Sequence, residues 1–183
     1  METLPDYLVP GLDIVFIGLN PSTISVKAGH YFANPRTRFW TALHQSGLVL
    51  QAELVSQLSP EHDRTLLQHG IGLTDVVKRP TSQGSSLKAS DYRRWAPVLK
   101  HKLETYRPLV ACYHGMMAYR NYLWHGEGVR LGEAKLGRQD REIRDSRVFV
   151  TPNPSPANAR YSVSDLAGWY RELGRFVAEL KQA

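Results

Sequence analysis

Two short polar segments stand where hydrophobic runs end, and they hold much of what could do chemistry in this chain. Gly18-Leu19-Asn20-Pro21-Ser22 follows Ile14-Val15-Phe16-Ile17, and Asn153-Pro154-Ser155-Pro156-Ala157-Asn158-Ala159-Arg160 follows Val148-Phe149-Val150. In the first, Gly18 permits close backbone approach and Pro21 stiffens the turn. The Asn20 carboxamide is thereby expected at a strand end, with donor and acceptor both on offer. In the second, prolines stiffen a loop of small residues that closes on Arg160, a form suited to pressing against a duplex and gripping phosphate. Either segment alone also reads as an ordinary rigid turn.

Three further places add to the inventory. His30-Tyr31-Phe32-Ala33-Asn34-Pro35 precedes Arg36, Arg38, Phe39 and Trp40. Phe32, on a loop, is the candidate to stack on a planar ligand such as a nucleobase, a contact worth roughly 1 to 3 kcal/mol. Phe39 and Trp40 fall on a helical pattern and read as core, while Arg36 and Arg38 read as a solvated face. Lys78 to Ser86 is basic and rich in hydroxyls directly after a strand, so Lys78, Arg79 and Ser82 are candidates for phosphate oxygens. A plain solvated loop fits that stretch equally well. Asp91 follows at a helix start, where the dipole already favours a carboxylate. A general base there needs only reach to a water.

The elements that must position these groups alternate. Asp13 to Leu19, Ile71 to Val77, Leu109 to His114 and Arg147 to Thr151 are short, apolar and partly β-branched, as strands covered on both faces should be. Helical patterns lie at Arg36 to Gly47, from a Ser90 cap to Tyr106, and from Ser164 onward with Leu166, Trp169, Leu173, Phe176, Val177 and Leu180 on one side. His125 to Asp140, rich in Gly and charge, reads as a surface excursion. The expectation is a single α/β domain over residues 1–183, three layers (α/β/α) around a mainly parallel four-stranded sheet. Ligands of such sheets sit beyond the carboxyl ends of the strands, where loops distant in sequence share one cleft.

Composition narrows the partners. The chain has 183 residues and a formal charge of +6, enough length for a core and a field that favours a polyanion, nucleic acid ahead of an acidic membrane surface. No apolar run approaches the ~20 residues of a membrane span, and Met1 to Pro10 lacks the pattern of a signal peptide. The expectation is a soluble intracellular protein, cytoplasmic and nucleoid-associated in a bacterium or nuclear in a eukaryote. Cys112 stands alone, which excludes an internal disulfide and argues against a structural zinc or iron-sulfur site.

Taken in order and spacing, Gly18-Leu19-Asn20-Pro21, then Phe32-Ala33-Asn34-Pro35 with Arg38-Phe39-Trp40, then Arg79-Pro80-Thr81, then Asn153-Pro154-Ser155 resemble the mismatch-specific uracil-DNA glycosylases and their thymine-DNA glycosylase relatives. The resemblance runs from about Asp13 to Leu180. It implies the uracil-DNA glycosylase fold and base-flipping hydrolysis of an N-glycosidic bond in base excision repair. It implies that Asn20 positions the attacking water, that Phe32 stacks on the extruded base, and that backbone near Gly18, Leu19 and Phe32 binds the base edge. Asn153 and Ser155 would face the lesion from the segment that enters the duplex. Pro156, Ala157, Asn158 and Arg160 would meet DNA, with Arg160 near a phosphate or the opposite base. Implied partners are double-stranded DNA with uracil or a mismatched base and, as a second form, single-stranded DNA. No cofactor, metal or membrane enters, and a monomer suffices.

Two departures stand out. Ser22 replaces the usual glycine and lacks the bulk to exclude a 5-methyl group. Pro156-Ala157-Asn158-Ala159 replaces a shorter Gly-Leu-Ser, without the bulky wedge. Because an asparagine cannot accept a proton, either leaving-group stabilisation suffices with a slow step or another acid group assists, and Asp91 is the candidate for it. A non-catalytic nucleic-acid-binding module and a nucleotide or nucleoside hydrolase are the alternatives, although the chain has no Gly-rich phosphate loop ending in Lys and Ser or Thr.

Overall fold

The apolar runs form a five-stranded sheet in the computed structural model, which describes residues 1–49 and 56–183. Strands β1 (Ile14–Gly18), β2 (Ile71–Asp75), β3 (Val110–His114), β4 (Gly137–Ile143) and β5 (Ser146–Thr151) lie in the order β2-β1-β3-β5-β4. All neighbours are parallel except β4, which is antiparallel to β5 at the edge. Strand alternation splits the core in two. Ile14, Phe16, Ile71, Leu73, Val110, Cys112 and Phe149 face the side covered by helices α2 (Phe39–Ser46) and α5 (Val163–Gln182). Val15, Ile17, Ala111, Tyr113, Val148 and Val150 face α3 (Ala89–Tyr106) and α4 (Met116–Tyr122). A sheet buried on both faces can be uniformly apolar, which is why these strands are legible as continuous runs.

The fold corrects the sequence reading in its strand count. Residues Gly137–Ile143 carry four charged side chains, and only Gly137 and Ile143 are buried, so no period-2 signal survives. Position explains it: an edge strand keeps one side in solvent, and charge there discourages pairing with another chain. The presumed excursion 125–140 thus ends in a strand, preceded by a π-helical turn at Leu123–Glu127.

Helix limits move slightly, each for a capping reason. Helix α3 begins at Ala89 because the Asp91 carboxylate accepts from the Lys88 N–H at 2.8 Å, so Ser90 lies inside it. In α5 the cap is Ser162, whose hydroxyl accepts from Asp165 N at 3.1 Å. A short α1 (Thr23–Ala28) follows the first polar loop. Phe39 and Trp40 are core, as their spacing implied. Among the described residues no helix is long and apolar enough to cross a membrane.

Candidate active site at the carboxyl edge of the sheet

Strands β1, β2, β3 and β5 all end on one edge, and the loops leaving it are stitched together. Val76 and Val77 donate to the carbonyls of Gly18 and Leu19 at 2.9 and 3.0 Å, and Thr81 N donates to Pro21 O at 3.2 Å. The loop after β1 therefore runs beside the loop after β2. Gly18 is buried against Asp75, and a Cβ at position 18 would sit 2.6 Å from the Asp75 Oδ1. A side chain there would have to push the buried Asp75 carboxylate aside.

Asn20 is half-buried with a defined orientation. Its Nδ2 donates to Thr81 Oγ1 at 2.8 Å and to Arg79 O at 2.9 Å, with a longer contact to Pro21 O at 3.3 Å. The donor half of the carboxamide is thus consumed by the neighbouring loop. Among the described residues nothing donates to Oδ1, which leaves an oriented acceptor at the end of β1. Of the two halves expected to be free, Thr81 and the Arg79 carbonyl take the donor.

Ser22 ties this loop to that of Phe32. Its hydroxyl accepts from Ser25 N to cap α1 and donates to Ser25 Oγ at 3.0 Å, while Ser25 Oγ also accepts from Ala33 N at 3.1 Å. The serine in place of the usual glycine is therefore spent on joining two loops. Phe32 follows at φ +54°, the left-handed region that bulky residues avoid. Its ring lies on Phe39 with centroids 4.0 Å apart and planes 25° apart, and meets the His114 ring edge-on. The ring also meets Trp40 edge-on and lies near Tyr31, and it is half-buried against the core. Asp63, itself buried, accepts from Tyr31 N at 2.9 Å and holds the loop's entry.

His114 ends β3 beneath Phe32 and was not singled out in the sequence. It is buried, its Nε2 lies 3.2 Å from the Tyr170 hydroxyl, and burial pushes its pKa down to about 3, so the imidazole is neutral. Asp75 ends β2 on the other side of Gly18. Burial raises its pKa to about 6 against the opposing pull of Lys78.

Lys78 departs from the expected phosphate loop. It is 4% exposed, and its ammonium donates to Asp6 at 2.9 Å and the Tyr31 hydroxyl at 3.0 Å, with Asp75 3.5 Å away. An ammonium committed in this way to internal partners cannot reach a DNA surface without breaking them. Arg79 is part-exposed but held: it donates to both Asp91 oxygens at 2.7 and 2.8 Å and to Ser86 O at 3.0 Å. Asp91 therefore has a full set of partners, and the Arg79 hydrogen bond brings its pKa down to about 2. Ser82 is exposed at the loop's tip.

The loop after β5 leaves the same edge of the sheet. Asn153 Oδ1 accepts from Ser155 N at 2.9 Å, and Asn158 Nδ2 donates to Asn153 O at 3.1 Å, so both asparagines shape the loop. A Cβ at Gly115 (φ +93°) would lie 3.1 Å from the Asn153 Cβ, a second place where glycine allows close packing. Pro156 and Asn158 are half-buried, and Ala157 and Arg160 are exposed. Arg160 stacks towards the Tyr161 ring and borders a groove of 510 Å³ shared with Ser164, Asp165 and Trp169.

Fold and loops together define an α/β protein whose candidate residues gather on the loops at the carboxyl edge of a mainly parallel sheet, the edge where ligands of such sheets bind. The sequence pattern of the uracil DNA glycosylase superfamily matches residues 5–174, and the chain belongs to that superfamily. It is similar in fold to a proposed uracil DNA glycosylase from Methanosarcina acetivorans solved by solution NMR. The match has a TM-score of 0.57 and 24% sequence identity, covering 94% of this chain and 97% of the other.

Proposed function

We propose that the protein is a monofunctional DNA glycosylase that turns uracil out of duplex DNA and hydrolyses its N-glycosidic bond, leaving an abasic site. Thymine and other 5-substituted pyrimidines in mismatches belong to the same proposal, because Ser22 is folded into the α1 cap and adds no bulk against a 5-methyl group. The observation that carries the reading is the orientation of Asn20: with Nδ2 anchored, Oδ1 is an acceptor fit to align a water on the sugar carbon.

In the reaction the C1′–N bond breaks with its electron pair leaving on the base, through an oxocarbenium-like sugar. Water adds to C1′, and its proton passes to solvent or to the departing base. Backbone N–H groups of Asn20 and Phe32, which have no acceptor among the described residues, are the donors available to the developing anion. Flipping costs a few kcal/mol, less at a mismatch, and Phe32 recovers part of that by stacking. Neutral His114 and the apolar ring cluster below it keep the site water-poor.

Asp91 has a different part in this scheme. A carboxylate with a pKa of about 2 is a poor proton acceptor, and its bond to Arg79 braces the segment whose carbonyl anchors Asn20. General acid-base catalysis contributes about 10²- to 10⁴-fold. Asp91→Asn is therefore expected to lose less than about ten-fold in single-turnover rate, and a loss as large as that of Asn20→Ala would restore Asp91 as the base. The depressed pKa also gives a sign for stability. The contribution of Asp91 is complete above the ordinary carboxylate range and lost as pH falls from near 4 towards 2.

The function is tested on single-lesion duplexes and single strands carrying uracil or thymine opposite each base, at two salt concentrations. Abasic sites, read as strand scission after alkali, should accumulate in uracil-containing duplexes, and binding should weaken with salt. If the alkali-labile product never forms on any substrate while the protein still binds DNA, the non-catalytic module replaces this reading.

A further inference from the structure

Arg36 and Arg38 look alike in sequence, but Arg38 faces inward. It is the residue before α2, and its guanidinium donates to the backbone carbonyls of Ser155, Asn158 (2.6 Å) and Tyr161. Its own N–H donates to Pro154 O at 3.2 Å. Four carbonyls of the loop after β5 thus converge on one residue. On the other side Arg38 leads directly into Phe39, the ring on which Phe32 lies. Within the loop, hydrogen bonds of Asn153, the Ser155 hydroxyl and Asn158 complete the frame.

We propose that Arg38 is a positioning residue that sets the duplex-facing loop 154–161 in register with the base-stacking ring of Phe32. The inference rests on the glycosylase reading above. Its physical basis is the planar five-donor guanidinium, which reaches several carbonyls in one plane; an ammonium carries the same charge with three donors on a single point. Base flipping needs the loop to press on the duplex while the ring receives the base, so an error in their relative placement is felt in the rate. Misplacement by about 1 Å can cost about 10²-fold.

The test uses the full chain and a uracil-containing duplex at saturating enzyme, so that the observed rate reports events after binding. Arg38→Lys should lose about ten- to a hundred-fold in that rate, with amide exchange accelerated at 155–161 more than elsewhere. Arg38→Ala should lose at least as much and recover several-fold when methylguanidinium is added at a concentration that leaves its melting temperature unchanged. A merely structural arginine would show a rate that follows the melting temperature and would not respond to the added ion. A lysine variant with the wild-type rate and wild-type exchange overturns the inference alone, as does an alanine variant that folds and is not rescued. If alanine prevents folding, the exchange and rate of the lysine variant decide. Wild-type protein that releases no base overturns the glycosylase reading and this inference with it.

Discussion

Asn20→Ala is expected to reduce single-turnover release of uracil by about 10²- to 10³-fold, the range in which removal of one oriented polar group at a reacting centre falls. The site leaves Asn20 one free function: Nδ2 is held by Thr81 and the Arg79 carbonyl, and Oδ1 is left to water. Alanine removes that acceptor and also strands the Arg79 carbonyl, so some stability goes with it, about 1 to 3 kcal/mol for buried groups left unpaired. Activity and stability must be separated, and two isosteres do so. Asn20→Asp keeps the shape and an acceptor but sets an oxygen against the Arg79 carbonyl, a repulsion that the Thr81 hydroxyl, by turning to donate, only partly offsets. It should lose most of the rate through misorientation. Thr81→Val removes one anchor and keeps Oδ1 itself, so an intermediate loss is expected. The measurement is the single-turnover rate at saturating enzyme beside thermal melting. Wild-type rates in a folded Asn20→Ala protein would remove the water-positioning role.

The same residues explain what the sequence discloses and what it conceals. The four parallel strands are legible because burial on both faces makes them continuous apolar runs, whereas β4 is hidden because an edge strand is selected for charge. Asn20 and Phe32 stand out because polar and aromatic residues on short loops at strand ends have few other duties. Their partners do not. Thr81 and Ser25 are ordinary hydroxyls until the fold brings them 61 and 8 residues across the chain to Asn20 Nδ2 and Ala33 N. Charge is the least legible feature of all. Lys78, Arg79 and Arg38 look alike as basic residues near a cleft, yet one is buried among Asp6, Tyr31 and Asp75, one is braced by Asp91, and one grips carbonyls. A formal +6 therefore overstates the charge that is free on this edge, where Arg160 and Ser82 are exposed.

Phe32 carries the second large expected effect, and its backbone supplies the control. Loss of one base-aromatic stack costs about 1 to 3 kcal/mol, so Phe32→Ala should weaken affinity for free uracil and for a uracil-containing duplex by about 5- to 150-fold. It should also slow base release, since the flipped state loses its support. Removing the ring opens the contact with Phe39, and a critic could assign the whole effect to a collapsed loop. Position 32 answers this because its φ is +54°. Glycine adopts that conformation without the steric cost that alanine bears, about 1 kcal/mol. Phe32→Gly should therefore be at least as stable as Phe32→Ala while equally poor in binding and rate. Phe32→Leu restores apolar bulk without a flat face and should recover stability with little of the affinity. Melting curves, equilibrium binding and single-turnover rates on the three variants separate the cases. If affinity tracks melting temperature across the series, the ring is a packing element and the base is received elsewhere.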